Sequence, residues 1–289
     1  MSISAKIQDN SHSGATLQVL KDANEYYVKK TMHTAIDKNH KAILKQHRFK
    51  SLKTPTYEVI AIPVVDVTLE TQSLTVLMPY IEGVGGEQVA YKGSKTVAKN
   101  LRTALDFYLI NSFSSSEDSI YPIKEVHAKI EEIATKLNER WYLFPNLKEQ
   151  IRIFKDYCKD DLNLPIGECH GDLTLSNLKI TEENQLALFD FLSCEINSPI
   201  QDAAKIIQDF EYGWSFRKEK ESIRIKGELF CEYSAPLFIN TLNRLFYYEM
   251  RVVEILTILR IAPYIREDDV ITTMWFNNTM TKTINKIIG

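Results

Sequence analysis

The fold of this 289-residue chain is decided by residues 170–177, whose sequence is His-Gly-Asp-Leu-Thr-Leu-Ser-Asn. A second acid, Asp190, follows at the end of the apolar run Leu-Ala-Leu-Phe. By ordinary residue usage, His, Gly, Asp and Asn at four fixed positions arise by chance on the order of once in 10^5 starting points. The two acids and the amide of Asn177 therefore form a pattern that needs a chemical explanation.

Two acids and an amide at this spacing are suited to phosphoryl transfer. That reaction needs an in-line nucleophile and cations that offset the charge of the transferring group. Asp172 is the candidate acceptor for the proton of an attacking hydroxyl group. Mg²⁺ prefers oxygen ligands and keeps several waters, so Asn177 and Asp190 suffice beside the phosphates of a nucleotide. Residues 178–189 predict a β-hairpin, which would return Asp190 to the neighbourhood of Asn177.

The pattern His170-Gly171-Asp172, with Asn177 and Asp190, resembles the phosphotransferase family of aminoglycoside and choline kinases over about residues 10–265. The resemblance implies a kinase that uses ATP (GTP is the alternative) and Mg²⁺ to phosphorylate a hydroxyl group of a small molecule. In such a site Asp172 is catalytic, and Asn177 and Asp190 are the metal ligands. His170 is expected to brace the loop by hydrogen bonding.

The resemblance also implies the architecture. We expect an α+β, bilobal protein-kinase-like fold, with a small antiparallel β-sheet lobe that contains one helix and a larger, mainly helical lobe. The N-terminal nucleotide-binding lobe is expected at residues 1–79. The C-terminal helical lobe, with the catalytic and metal loops and the acceptor pocket, is expected at residues 80–289.

Hydrophobic periodicity agrees with this order of elements. Residues 16–20 and 25–30 predict a strand hairpin, residues 34–52 a polar helix, and residues 57–65 and 74–80 a second pair of strands. From about residue 96 onward the chain is mainly helical. Two core stripes recur there at helical spacing: Val97, Leu101, Leu105 and Leu109, and then Val126, Ile130, Ile133 and Leu137.

Two segments of the N-terminal lobe are candidate nucleotide contacts. Ser13 and Gly14 would lie in a loop that covers the phosphates, where glycine allows close approach of the backbone; a plain surface turn is the alternative. Lys29 resembles the strand lysine that contacts the α- and β-phosphates. Strand alternation puts Lys29 and Lys30 on opposite faces. The family pattern of two apolar residues followed by lysine favours Lys29.

The hinge between the lobes is expected at about residues 78–83. Its backbone groups would bind the edge of the adenine ring, and Met78, Tyr80 and Ile81 are the candidate contacts. Adenine sites need apolar walls and a few well-placed backbone groups. A strand that simply ends at Pro79 is compatible with this interpretation.

One departure from the family pattern concerns the helix that follows Lys29. Kinases of this fold usually pair the strand lysine with a glutamate there, but residues 42–52 contain neither Glu nor Asp. Gln46 occupies the expected place, and an amide cannot neutralise an ammonium group. Asp37 is another candidate partner. This departure keeps open the alternative of a nucleotide-binding pseudoenzyme or scaffold.

Beyond the metal loop, residues 197–202 predict the start of a helix. Ser198 is a good N-cap, Pro199 suits the first helical position, and Gln201 would complete a capping box. By resemblance, Asp202 anchors the catalytic loop; a first-turn acid favoured by the helix dipole is the alternative. The acceptor remains unidentified by the sequence, and residues 211–214, Glu-Tyr-Gly-Trp, are the best candidates for its pocket.

The composition of the chain and the spacing of its residues narrow the remaining functional classes. A net charge of −3 gives no attraction to nucleic acid, and no apolar stretch is long enough to span a membrane. The four cysteines show no metal spacing, which predicts reduced, buried thiols and a cytoplasmic location. A protein kinase is disfavoured, because only eight residues separate Asp190 from Pro199. A small-molecule hydroxyl acceptor is the expected partner, and the oligomeric state is left open.

Overall fold

The computed structural model describes residues 15–23 and 25–288. Within these residues, eleven strands form three small sheets. The strands are β1 (Thr16–Asp22), β2 (Glu25–Met32), β3 (Leu52–Lys53), β4 (Glu58–Ala61), β5 (Asp66–Leu69), β6 (Leu74–Pro79), β7 (Val84–Gly85), β8 (Glu117–Tyr121), β9 (Leu162–Ile166), β10 (Leu178–Ile180) and β11 (Gln185–Leu188).

Helices make up most of the chain after β7. The helices are α1 (Ile36–Arg48), α2 (Gly86–Lys92), α3 (Lys95–Ser114), α4 (Ile123–Leu137), α5 (Leu147–Tyr157), α6 (Pro199–Phe210), α7 (Glu221–Ser234), α8 (Phe238–Leu245), α9 (Tyr247–Leu259) and α10 (Val270–Ile288). The protein therefore has the predicted α+β, kinase-like division into an antiparallel sheet followed by a mainly helical region.

The first sheet is antiparallel throughout, with strand order β1-β2-β6-β5. Its apolar side chains alternate along β6, where Leu74, Val76 and Met78 are buried. They pack with Ile43 of α1 and with Met32 in a small core of their own. The helix is amphipathic, so one face seals this sheet while its charged face meets solvent. The predicted first hairpin and the following helix are thus confirmed.

The second sheet joins early and late parts of the chain. Its order is β3-β4-β11-β10-β7, and β4 runs parallel to β11, with Val59 opposite Leu186. The prediction of residues 57–65 as one strand paired with 74–80 was therefore wrong. Pro63 lacks an N–H group and interrupts the stretch; β4 before it joins β11, and β5 after it pairs with β6. The lobe boundary between residues 79 and 80 stays a prediction.

The main core lies in the helical region. The two predicted stripes are confirmed, because Leu101, Leu105 and Leu109 of α3 and the four apolar residues of α4 are buried in it. Helix α9 is buried from Val252 to Leu259 and packs against α6. All four cysteines are free and buried, as predicted. In the described residues, no helix has the length and apolarity required to cross a membrane.

Candidate active site

The catalytic loop leaves β9 and turns sharply at Gly171. The backbone φ of Gly171 is +88°, and a Cβ atom at this position would lie 2.5 Å from the carbonyl oxygen of Leu192. Left-handed geometry and this close approach both require glycine. The Leu192 N–H donates to the carbonyl of His170 at 2.9 Å, which joins the loop to the segment after Asp190.

Asp202 anchors this loop from helix α6. Its Oδ2 accepts hydrogen bonds from the His170 N–H at 2.6 Å and the Tyr108 hydroxyl at 2.7 Å, and its Oδ1 accepts from the Gly171 N–H at 2.6 Å. The residue is fully buried. A buried carboxylate is tolerated only when its oxygens are satisfied in this way. The prediction of a structural anchor at Asp202 is therefore confirmed.

The start of α6 agrees with most of its predicted capping. Ser198 is the N-cap, its Oγ accepts from the Ile200 N–H at 3.2 Å, and Pro199 lies in the first turn. Gln201 does not complete a capping box. Its side chain instead donates to the Thr257 hydroxyl oxygen at 3.2 Å, because this face of α6 is buried against α9.

His170 braces the loop from within. Its Nε2 donates to the Phe189 carbonyl at 2.9 Å, its Nδ1 accepts from the Asp172 N–H at 3.2 Å, and its ring centroid lies 4.3 Å from that of Phe191. Burial lowers the pKa of His170, which keeps the imidazole neutral. A neutral ring can donate at one nitrogen and accept at the other, as these two contacts require.

Asp172 projects from the loop toward solvent, with about a third of its side chain exposed. Its Oδ1 lies 3.0 Å from the Lys205 Nζ, and its Oδ2 accepts from the Asn177 Nδ2 at 3.0 Å. Burial alone would raise the pKa of Asp172, but Lys205 and the hydrogen bonds to the carboxylate outweigh it and lower the pKa. The group is therefore ionised. Sequence reasoning missed Lys205, which lies three residues after Asp202.

The β10–β11 hairpin brings Asn177 and the segment around Asp190 together, as predicted. The Phe189 N–H donates to the Asn177 carbonyl at 3.1 Å. Asp190 follows with a φ of +58°, an uncommon conformation for a residue with a side chain, and its carboxylate is 43% exposed. The Lys30 Nζ lies 2.7 Å from its Oδ1. The strand lysine Lys30 and the second acid therefore form an ion pair.

This contact bears on the choice between the two adjacent lysines. Lys30 pairs with Val76 across β2 and β6 and shares a strand face with Met32, so it points to the side on which α1 and Asp190 lie. Lys29 points to the opposite face of β2. The geometry therefore favours Lys30 over Lys29 as the candidate phosphate contact, and the choice between them stays a prediction. Ser13 and Gly14 lie outside the described residues.

Gln46 does not take the place of the missing helix glutamate. It is buried, and its Nε2 donates to the Ile62 carbonyl at 2.8 Å and contacts the Met78 sulfur at 3.5 Å. Asp37, the other candidate, is exposed in the first turn of α1. Lys30 instead has its carboxylate partner in Asp190. The expected ion pair between the strand lysine and a glutamate of the helix is thus replaced by an ion pair between Lys30 and Asp190, the acid predicted as a metal ligand.

Helix α1 is tied to the catalytic region by a different residue. The Lys45 Nζ donates to the Leu192 carbonyl at 3.0 Å and to the Asn197 Oδ1 at 2.9 Å. It also contacts the Cys169 sulfur at 3.3 Å. These contacts hold α1 against the segments on both sides of the catalytic loop.

The expected hinge follows β6. The Tyr80 N–H donates to the Tyr26 carbonyl at 2.7 Å, and the Lys179 Nζ lies 3.4 Å from the Ile81 carbonyl. Met78 is buried behind the strand against Gln46, so its side chain belongs to the small core. Tyr80 and Ile81 are half-buried at the chain crossing between the two sheets.

The predicted acceptor segment is largely occupied by contacts within the protein. Glu211 pairs with Lys286 at 2.8 Å, and the Tyr212 hydroxyl donates to the carboxylate of Glu254. Trp214 stacks under the guanidinium group of Arg217, whose Cζ lies 3.5 Å from the ring centroid. The segment thus lacks an uncompensated acidic cage for a cationic acceptor.

Glu87 is a titratable residue near the site that sequence reasoning missed. It lies in the first turn of α2, which packs against residues 175–177 of the catalytic loop. Burial, and then the charge of Asp209, raise the pKa of Glu87 to about 7, although Arg217 acts in the opposite direction. Its position directly after β7 gave no sequence signal, because its burial depends on distant residues.

Fold and site together define a protein-kinase-like phosphotransferase. The model of the phosphotransferase enzyme family matches residues 42–224, more than half of the chain. The chain therefore belongs to the phosphotransferase enzyme family, and it is an enzyme. No curated protein sequence matches it.

Solved structures share the fold along nearly the whole chain. The chain is similar to a thermostable mutant of aminoglycoside phosphotransferase APH(4)-Ia in complex with AMP-PNP and hygromycin B, with 13% identity, 98% of each chain covered and a TM-score of 0.58. It is similar to the choline kinase LicA from Streptococcus pneumoniae, with 14% identity, 98% of each chain covered and a TM-score of 0.55. At these identities the similarity establishes the fold alone.

The hydrogen bonds of Asp202 predict that Asp202→Asn lowers the stability of the protein. The new amide would place an N–H group opposite a backbone donor, so we expect the free energy of unfolding to fall by about 1–3 kcal/mol. Turnover should fall with it, because the loop loses its fixed geometry. Tyr108→Phe removes one of the three hydrogen bonds and should cost about 0.5–1.5 kcal/mol. Denaturant unfolding measures both, and a smaller loss in Asp202→Asn than in Tyr108→Phe would contradict the anchor.

The raised pKa of Glu87 predicts a pH-dependent stability. Between the unfolded and the folded pKa the folded state binds more protons, so stability falls as pH rises from 4.5 through about 7. We expect Glu87→Gln to flatten this fall and to raise the free energy of unfolding at pH 8 by about 1–3 kcal/mol. Denaturant titrations from pH 5 to pH 8 test this, with the exposed Glu182→Gln as control. An unchanged pH dependence in Glu87→Gln would contradict the assignment.

Proposed function

We propose that the protein transfers the γ-phosphoryl group of ATP to a hydroxyl group of a small molecule, such as a sugar, an amino sugar or an amino alcohol. The observation that carries this proposal is the convergence of Asp172, Asn177 and Asp190, with Lys30 facing Asp190. These groups supply a proton acceptor, two metal ligands and a phosphate-binding cation. A phosphoryl-transfer site needs this combination.

The residues present fit Mg²⁺. The described residues contain no group of three or more His, Cys, Asp or Glu side chains arranged to hold a metal ion. Mg²⁺ bound to a nucleotide needs only one or two protein ligands, because phosphates and waters complete its shell. Asp190 offers an exposed carboxylate, and Asn177, whose Nδ2 is committed to Asp172, has its Oδ1 left for a metal ion. When bound, Mg²⁺ would neutralise phosphate charge.

Each of the other groups has a separate task. Lys30 would bind the α- and β-phosphates, and the backbone at Tyr80 and Ile81 would contact the adenine ring. Asp172 would orient the acceptor hydroxyl group and accept its proton as the new O–P bond forms. His170 and Asp202 hold the loop that carries Asp172. ATP is preferred here over GTP on the resemblance alone.

The alternatives are less well supported. The alternative of a pseudoenzyme or scaffold arose because Gln46 stands where a glutamate is expected. However, Asp172, Asn177 and Asp190 are all present, and Lys30 has a carboxylate partner in Asp190. A protein kinase would need a longer segment than the eight residues between Asp190 and Pro199 to dock a peptide. A pocket for a small acceptor is compatible with this short connection.

The first experiment is Mg²⁺-dependent ADP release in the presence of aminoglycosides, choline, ethanolamine, free sugars or amino sugars. One class should stimulate release in the wild-type protein. Asp172→Asn should lower kcat by about 10²- to 10⁴-fold, the usual contribution of a general base, while Mg²⁺-ATP still binds. Asp190→Ala should also weaken Mg²⁺-ATP binding, measured by calorimetry. Wild-type turnover in Asp172→Asn would refute the assigned role.

The two neighbouring lysines form a matched pair of variants. Lys30→Met should lower kcat/KM for ATP by about ten- to a hundredfold, as expected for the loss of a hydrogen bond to a charged group. Lys29→Met removes the same charge from the other face of β2 and should leave kcat/KM nearly unchanged. Steady-state kinetics with varied ATP measure both. Greater damage from Lys29→Met would restore Lys29 as the phosphate contact.

A further inference from the structure

Helix α6 presents one polar face to the whole catalytic loop. Asp202, Lys205 and Asp209 are spaced three and four residues apart, so they share a side of the helix. Asp202 holds the start of the loop, and the Asp209 Oδ2 accepts from the Leu175 N–H at 2.6 Å near its end. Lys205 lies between these anchors and contacts Asp172. The three side chains therefore follow the loop in order.

Lys205 differs from the rest of this helix in its exposure. Every other residue from Pro199 to Asp209 is buried, whereas the side chain of Lys205 is 13% exposed. A helix that is buried on all sides has no solvated face from which a lysine could reach water. Between Pro199 and Asp209, Lys205 is thus the residue whose side chain is partly exposed, and its ammonium group lies beside the partly exposed carboxylate of Asp172.

The ammonium group of Lys205 is not fully used by the protein. Its Nζ lies 3.0 Å from the Asp172 Oδ1 and 3.1 Å from the Gln208 Oε1. An ammonium group has three donors. Among the residues that the structure describes, these two are its hydrogen-bond partners. One N–H group is therefore left to bind an oxygen atom that arrives in the cleft beside Asp172.

The catalytic loop contains no positively charged residue between Asp172 and Asn177. The residues between Asp172 and Asn177 are Leu-Thr-Leu-Ser. Lys30, on β2, is paired with Asp190. An ammonium group beside a proton acceptor makes that group less basic, which by itself does not help catalysis. Charge spread over the transferring phosphoryl group, in contrast, is stabilised directly by a nearby cation.

We propose that Lys205 is a further catalytic residue, which binds an oxygen of the transferring phosphoryl group while it remains in contact with Asp172. This inference rests on the proposed kinase function. In the step, the acceptor oxygen forms a bond to the γ-phosphorus, the bond from phosphorus to the bridging β–γ oxygen breaks, and its electron pair leaves with ADP. The hydroxyl proton passes to Asp172. Lys205 keeps its protons and offsets charge throughout.

The test compares Lys205→Met with Lys205→Arg. The methionine variant keeps most of the volume and removes the charge, and it should lower kcat by about 10²- to 10³-fold, as for other single groups that stabilise transition-state charge. The arginine variant should recover part of the loss. Lys129→Met is the matched control, because the side chain of Lys129 is similarly shielded, with 16% exposed, and is paired with Glu132 and Glu195, which are not part of the catalytic loop. It should keep wild-type kcat.

A second readout separates contact with the phosphoryl group from a structural role or a role at the acceptor. Slow ATP hydrolysis, measured without acceptor, uses water in place of the hydroxyl group. If Lys205 binds the phosphoryl group, Lys205→Met should slow hydrolysis and acceptor phosphorylation by similar factors, with the dissociation constant of Mg²⁺-ATP within about threefold of wild type. Loss of acceptor phosphorylation alone, or unchanged kcat, would overturn the proposal.

Measurements on the wild-type protein distinguish a failure of the proposed kinase function from a failure of the role assigned to Lys205. If it neither binds Mg²⁺-ATP nor releases ADP with any acceptor, the proposed function fails and this inference falls with it. If it turns over and Lys205→Met turns over equally well, only the role of Lys205 fails. Should the methionine variant not fold, Lys205→Gln carries the same comparison, because an amide can still donate to Asp172 but has no charge.

Discussion

The carboxylate of Asp202 is the buried charge on which the site depends. Its oxygens accept from two successive backbone N–H groups, at His170 and Gly171, and from the hydroxyl of Tyr108 on α3. Burying this charge is favourable only when all three donors are in place, so the loop, α3 and α6 must come together at once. The left-handed turn at Gly171 follows from that geometry, and it directs Asp172 out of the core toward the cleft.

Local sequence was sufficient to predict those parts of the site whose residues lie close together along the chain. The catalytic loop, the hairpin that returns Asp190 to Asn177 and the cap at Ser198 each depend on neighbours within about twenty residues. The anchor at Asp202 was also accessible, through the resemblance. Lys205 had a usable signal too, since a lysine one turn after the anchor shares its face of the helix.

Other features depend on contacts that no local pattern contains. The choice between Lys29 and Lys30 required the register of β2 against β6, because a shift of one residue reverses the faces of a strand. Gln46 fits the helix position of a lysine partner, yet its side chain is satisfied by Ile62 across the small core. The pairing of β4 with β11 joins segments more than a hundred residues apart, and Pro63 was its only local sign.

The parallel pairing of β4 with β11 has a mechanical consequence. Four consecutive residue pairs, from Glu58–Gln185 to Ala61–Leu188, join β4, in the early part of the chain, to β11, the strand that leads into Asp190. Lys45 adds a second attachment, from α1 to the Leu192 carbonyl. The segment around Asp190 is therefore held to the early part of the chain at two places, so its position does not depend on the β10–β11 hairpin alone.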